Sequence, residues 1–429
     1  MTRTTTARLA AGLVVTMTCG VLAAGCTYDD TATIARGPVR PPVEAEPGDF
    51  EPTSDDYDAI TRLLAARASA ALSGNQKAFL ATVDPKQPKL VKQQRTLFGN
   101  LDRLDLTRMS YLVDRETLVV AASVPGEAPT FRPLITEHVE LAGTLDQPVV
   151  NAVQMTFVRR ASGWYLGAEN ERKRTTSMES PQERPWFGGP IAVRRDGPMT
   201  VLVDRKRADS LDGLMSSVHD DIEYAADVLD VDPAYDVLVD ATSNGLTIDF
   251  SKLTKEEVAA FSFGLYGRNG RVGSAIKLNP ERVEESLDQE NLMRHELTHY
   301  LLHKYDTAAP TWLVEGVAMY VETYPGDMSR YVVDDKVWDR LQAADHDLPG
   351  VGTFDIDPST NYFISWAAVV RLVNRAGIDD LERLMKEYLK AYDGPDVDAL
   401  TPRLLRKVYG LREQDMVDQA FDEMAELHH

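Results

Sequence analysis

The segment Arg294-His295-Glu296-Leu297-Thr298-His299-Tyr300 constrains this chain more than any other. Its His-Glu-x-x-His pattern sets two imidazoles one helical turn apart, so on a helix both project from one face and can share a tetrahedral metal ion. Glu296 lies beside them, placed to take a proton from a water that the metal has acidified. The flanking residues support a helix. Glu290 and Asn291 suit its start, Met293, Leu297, Tyr300 and Leu301 form an apolar stripe, and nothing over 292–305 breaks it.

Two imidazoles leave a metal short of ligands, and the third must come from elsewhere. His303 continues the series but sits two turns beyond His295, about 12 Å along the axis, too far to share one ion. The turn-forming Gly and third His that some zinc helices use are missing: position 305 is Tyr, and the first Gly after His299 is Gly316. Residues 310–322 form a second helical pattern, apolar on almost every side, with Glu315 and Glu322 on one face. Carboxylates in such surroundings are costly unless a cation meets them. Glu315 therefore suits metal ligation, and Glu322 suits a hydrogen bond that orients a ligating histidine.

The stretch Trp312-Leu313-Val314-Glu315-Gly316-Val317-Ala318-Met319-Tyr320-Val321-Glu322 resembles the Trp-Leu-x-Glu-Gly-x-Ala-x-Tyr-x-Glu signature of the gluzincin zinc metallopeptidases, closest to the alanyl aminopeptidase branch. Val314 stands where those enzymes usually carry Asn. The resemblance implies a zinc ion held by His295, His299 and Glu315, with Glu296 as general base. It extends to Asn361-Tyr362-Phe363-Ile364-Ser365-Trp366, which implies that Tyr362 donates to the tetrahedral oxyanion. Tyr320 and His346 are weaker candidates for that part. Aminopeptidases of this superfamily read the substrate's amino terminus with the acid of a Gly-x-Met-Glu-Asn strand. Here Gly273-Ser274-Ala275-Ile276-Lys277-Leu278 occupies that place, which favours cleavage within a peptide or protein substrate. This strand is expected to be the sheet edge that pairs with an extended peptide. A catalytically idle metal-binding lipoprotein, acting as a binding or scaffold protein, is the alternative.

The opening residues suggest where such a protein works. After Arg3 and Arg8, residues 11–25 are apolar or small and end at Cys26, which reads as an export signal over 1–25. The run is shorter than the ~20 residues of a spanning helix. Ala23, Ala24 and Gly25 before Cys26 resemble a bacterial lipobox, so lipidation of Cys26 and residence at the outer face of the cell membrane are expected. Residues 26–54, rich in Pro, Gly and acid, are then a tether. Cys19 falls inside the leader, so no cysteine pair remains and the fold must be held by its core.

The rest of the chain divides in two. Helical spacing over 57–72, 76–80 and 91–101 precedes strand-like runs at 108–113, 118–124, 138–141, 149–159 and 164–166. This pattern over 55–180 resembles the cone-shaped α+β roll of SnoaL-like proteins, with no catalytic constellation of its own. Polar residues 170–185 mark the boundary. Within 181–429, strands at 191–193, 200–203, 236–239 and 272–278 and a helix over 208–229 imply a small mixed sheet, followed by a mostly helical half. The fold class is therefore α+β. A net charge of -21, from 67 acidic against 46 basic residues, argues against nucleic acid as a partner.

Overall fold

The computed structural model describes residues 52–115, 129–145, 147–171, 184–244, 260–268, 270–280, 290–305, 308–324, 335–343, 347–350, 352–392, 394 and 396–428. The leader, Cys26, the tether up to 51, the expected strand 118–124, the boundary stretch 172–183 and His346 lie outside the described residues. Among the described residues no helix is long and apolar enough to cross a membrane.

Three helices open the fold: α1 (Ser54–Leu72), α2 (Gln76–Ala81) and α3 (Pro88–Leu101). Thr53 and Asp56 cap α1 reciprocally, each side chain bonding the other's backbone N–H. The helix α3 begins three residues before the expected start, because Pro88 suits a first turn whose N–H has no helical partner. Among the described residues five strands follow: β1 (Leu106–Val113), β2 (Thr130–Phe131), β3 (Leu134–Leu141), β4 (Val149–Arg160) and β5 (Gly163–Glu171). They form an antiparallel sheet ordered β1-β3-β4-β2, with β5 also on β4. Strands β3 and β5 are longer than their apolar alternation implied. Their inward positions include Glu137 and Glu169, which interrupt the pattern yet are buried.

Those carboxylates are buried in pairs with arginines. Arg184 donates from Nε and Nη2 to Glu137 at 2.7 and 2.8 Å, and from Nη2 to Glu169 at 2.7 Å. Arg67 reaches the other oxygen of Glu169 at 3.1 Å, where Gln94 also donates at 2.9 Å. Burial pushes the Glu169 carboxyl up, but Arg184 and Arg67 outweigh it and hold the group below the usual carboxylate range.

A second five-stranded sheet is ordered β6-β7-β8-β10-β9, from β6 (Ile191–Asp196), β7 (Met199–Asp204), β8 (Val237–Ala241), β9 (Ala260–Gly267) and β10 (Gly270–Leu278). It is mixed: β8 pairs in parallel with β7 and β10, while β6–β7 and β9–β10 are antiparallel. The central β7 and β8 are buried throughout, which gives them continuous apolar runs. The sequence offered no sign of β9, since Gly264 and Gly267 interrupt its run. Its presence corrects the expected edge: β10 is covered on both sides, and among the described residues β9 is the border strand. Between β7 and β8 a tight 3-10 turn at Arg205–Ser210 leads into α4 (Leu211–Leu229).

The remainder is helical: α5 (Glu290–Leu302), α6 (Thr311–Thr323), α7 (Asp335–Ala343), α8 (Pro358–Ala376), α9 (Ile378–Ala391), α10 (Thr401–Tyr409) and α11 (Glu413–His428). Met293, Leu297 and Tyr300 of α5 pack on the second sheet beside α4. The largest core gathers around Trp312, Val317, Trp366, Leu384, Tyr388 and Leu405.

The two sheets are joined through residues 184–191. One apolar cluster unites Leu97 and Phe98 of α3 with Trp186, Phe187, Leu238 and Leu265. Asn100 donates to the carbonyls of Trp186 and Gly189 at 2.9 and 2.8 Å and accepts from Ile191 N–H at 3.1 Å. On the other side Asn244 donates to the carbonyl of Pro185 and accepts from Gly189 N–H. The ammonium of Lys277, buried in β10, steadies the Asn244 loop with bonds to Asp240 and to the carbonyls of Thr242 and Asn244.

Replacing Arg184 by Ala strips Glu137 of its cation, so unfolding by urea should show a loss of about 3–5 kcal/mol. The lowered Glu169 contributes stability that is complete above its unfolded pKa of about 4.3 and is lost as pH falls through its lower folded value. The parent should therefore lose stability on acidification, and the Arg184→Ala variant should lose less of it. An equal acid slope in both chains would contradict this account.

Candidate metal centre

The two histidines of α5 face Glu315 of α6. His295 Nε2 and His299 Nε2 lie 3.2 Å apart, and Glu315 Oε2 lies 3.4 Å from each. The three atoms make a nearly equilateral triangle. An ion bound tetrahedrally at 2.0–2.1 Å needs ligand atoms about 3.3–3.4 Å apart, so one ion can touch all three. Among the described residues this is the one group of three His, Cys, Asp or Glu residues close enough to hold a metal.

The chemistry of the donors fits as well as the spacing. Glu315 is 0% exposed, and neither of its oxygens receives a hydrogen bond among the described residues. Such a carboxylate is expensive unless positive charge meets it. Burial pulls the His295 imidazole down, yet close contact with the carboxylates of Glu315 and Glu322, together with the charge of Glu296, lifts it well above its ordinary value. His299, also pulled down by burial, is raised by Glu315. Burial raises Glu315 in turn, but the two imidazoles hold it down to about 2. The field at the three atoms favours positive charge, which protons or one divalent cation can supply.

The remaining candidates that lie among the described residues each have a definite place. Glu322, two turns along α6, brings Oε2 to 3.2 Å from His295 Nδ1, where it fixes the ring and directs Nε2 at Glu315. His299 has no such partner: its Nδ1 is buried without an acceptor among the described residues. The phenol ring of Tyr362 in α8 is buried 6.1 Å from the His295 ring, centroid to centroid, and Phe354 packs edge-on against it. His303 lies outside the triangle, with Nδ1 2.9 Å from the carbonyl of Tyr300 just past the end of α5. Tyr320 turns into the core and packs against Tyr324.

Glu296 points towards the second sheet. Its Oε2 accepts a hydrogen bond from Ser262 Oγ at 2.8 Å, and Ser262 is a residue of the border strand β9. The sequence alone did not single out this serine. Its only signal was the alternation of Phe261, Phe263 and Leu265 around it, obscured by the two glycines.

Both helices are held from behind. Arg294 bonds Asp221 at 2.8 Å and lies 3.9 Å over the ring of Tyr224, while Tyr300 donates to Asp236, so α5 is anchored to α4 and the segment after it. The helix α6 meets α8 at Gly316, where a Cβ would lie 2.4 Å from the Ser365 carbonyl oxygen and 2.7 Å from Val369 Cγ2. Only glycine lets the two backbones approach so closely, and this approach brings Tyr362 beside His295.

In comparisons with known proteins, no family model, curated protein or solved structure matches the chain.

Gly316→Ala would force α6 and α8 apart. We expect a loss of about 1–3 kcal/mol or more, measured by denaturant unfolding. Gly99→Ala in α3, where the added carbon meets only the end of the Arg103 side chain, should cost nothing comparable. Equal effects at the two sites would refute the role given to Gly316.

Proposed function

We propose that the chain is a zinc metallopeptidase of gluzincin type that hydrolyses bonds within peptide or protein substrates. The observation that carries this reading is the triangle of His295 Nε2, His299 Nε2 and Glu315 Oε2, with edges of 3.2–3.4 Å. Zinc bound there would polarise the scissile carbonyl and acidify the attacking water. Glu322 keeps the His295 ring in register. Glu296 takes a proton from the attacking water and passes it to the leaving amine, and Tyr362 donates to the oxyanion of the tetrahedral intermediate. Among the described residues β9 has a strand partner on one side only, and its outer edge is where an extended peptide would add as a further strand.

The cell envelope is the proposed place of work, with a lipid on Cys26 as the anchor and residues 27–54 as the tether. The 55–180 unit, proposed as a SnoaL-like roll, then acts as a support on which the peptidase sheet is mounted.

Purified protein should contain close to one zinc per chain and cleave an unfolded protein such as reduced casein. Glu296→Gln should keep the metal and lower kcat by about 10²–10⁴-fold. Zinc without Glu296-dependent cleavage would instead support an idle metal-binding lipoprotein, and a metal-free chain would defeat both readings.

A further inference from the structure

Ser262 has two acceptors within reach and one hydrogen to give. Its Oγ lies 2.8 Å from Glu296 Oε2 and 2.8 Å from the main-chain oxygen of the same residue, so the hydroxyl serves one of them at a time. We infer that Ser262 is a positioning residue for the base, holding the Glu296 carboxyl in one place through both of its protonation states. The inference rests on the peptidase reading.

With Glu296 ionised, the hydroxyl hydrogen points to Oε2 and forms a charge-assisted bond. When Glu296 has taken the proton of the attacking water on Oε1, Oε2 remains an acceptor and the bond persists. When that proton resides on Oε2, the carboxyl donates to Ser262 Oγ, and the hydroxyl hydrogen turns to the main-chain oxygen. No heavy atom has to move. The hydrogen of Ser262 stays on Oγ throughout, and the proton gained from water is the one given to the leaving nitrogen, so the carboxylate is restored.

The fold supplies both acceptors. A helical carbonyl commits one lone pair to its own ladder and keeps a second, which is the one Ser262 reaches. Ser262 sits opposite Ile276 in the β9–β10 register, so the ladder holds its Cα. Strand alternation turns its side chain away from that of Phe263, which packs against the core shared by the two sheets. A serine that merely stapled strand to helix would need only one of the two acceptors.

The test uses the full-length zinc protein with Ser262→Ala, Ser262→Thr, Glu296→Gln and the Ser262→Ala/Glu296→Gln double variant. Ser262→Ala should keep its zinc content and, after cobalt substitution, the parental visible spectrum, because the serine touches no ligand. Its kcat on casein should fall about 10–100-fold with KM unchanged, and Ser262→Thr, which retains the hydroxyl, should restore most of the rate. In the Glu296→Gln background, removing the serine should cost nothing further, because the serine acts through the base. Parental kcat in Ser262→Ala while Glu296→Gln is inactive would overturn the inference. So would a changed cobalt spectrum, a loss confined to KM, or failure of Thr to rescue. Undiminished cleavage by Glu296→Gln would mark a different failure, that of the peptidase reading itself, and this inference would fall with it.

Discussion

A single carboxylate with no exposure to solvent organises the second half of this molecule. Glu315 lies in a helix that is buried almost all round, and its two oxygens accept no hydrogen bond among the described residues. A charge in that position is tolerable only if positive charge is brought to it, and the nearest supply is the pair of imidazoles on α5. Everything that holds α5 and α6 at their present separation therefore also holds the carboxylate in place. Arg294, Tyr300 and the close contact at Gly316 belong to that scaffold as much as the three ligand-type atoms do.

The parts of this arrangement that could be read from sequence are those that depend on local periodicity. The His-Glu-x-x-His spacing needs only a helix to bring both rings to one side, and Glu315 and Glu322 needed only the observation that acids are out of place in an apolar helix. Pairings between distant segments were not legible. Glu137 and Glu169 looked like interruptions in two strands, because the arginines that make their burial tolerable lie far away along the chain, at positions 67 and 184. The strand β9 was lost for a related reason. Its glycines have the composition of a turn, and only the antiparallel partner β10 gives them extended geometry. With β9 went Ser262 and the identity of the sheet edge.

Residues 184–191 connect the two sheets in a way that composition did not suggest. Next to a polar stretch, they could have been the end of a loose connection. Instead Arg184 is buried against the first sheet's carboxylates, Trp186 and Phe187 join a core shared by both sheets, and Asn100 and Asn244 satisfy the backbone between them. Buried backbone groups that are paired from both sides resist opening. That core also takes in Leu265 of the strand that carries Ser262, so packing in the first unit bears on the position of Glu296.

The groups assigned to the site stand on helices and a strand, and none of them on a long loop. Geometry of this kind is set when the chain folds and does not have to be assembled by a ligand. The arrangement carries a cost: among the described residues the oxygens of Glu315 and the Nδ1 of His299 are buried with no hydrogen-bond partner. A cation bound at the three atoms would offset much of the Glu315 cost, and because it binds the folded form alone, stability and metal occupancy would rise together. The same buried charge that sets α6 apart from a purely structural helix is thus what would tie the fold to a bound ion.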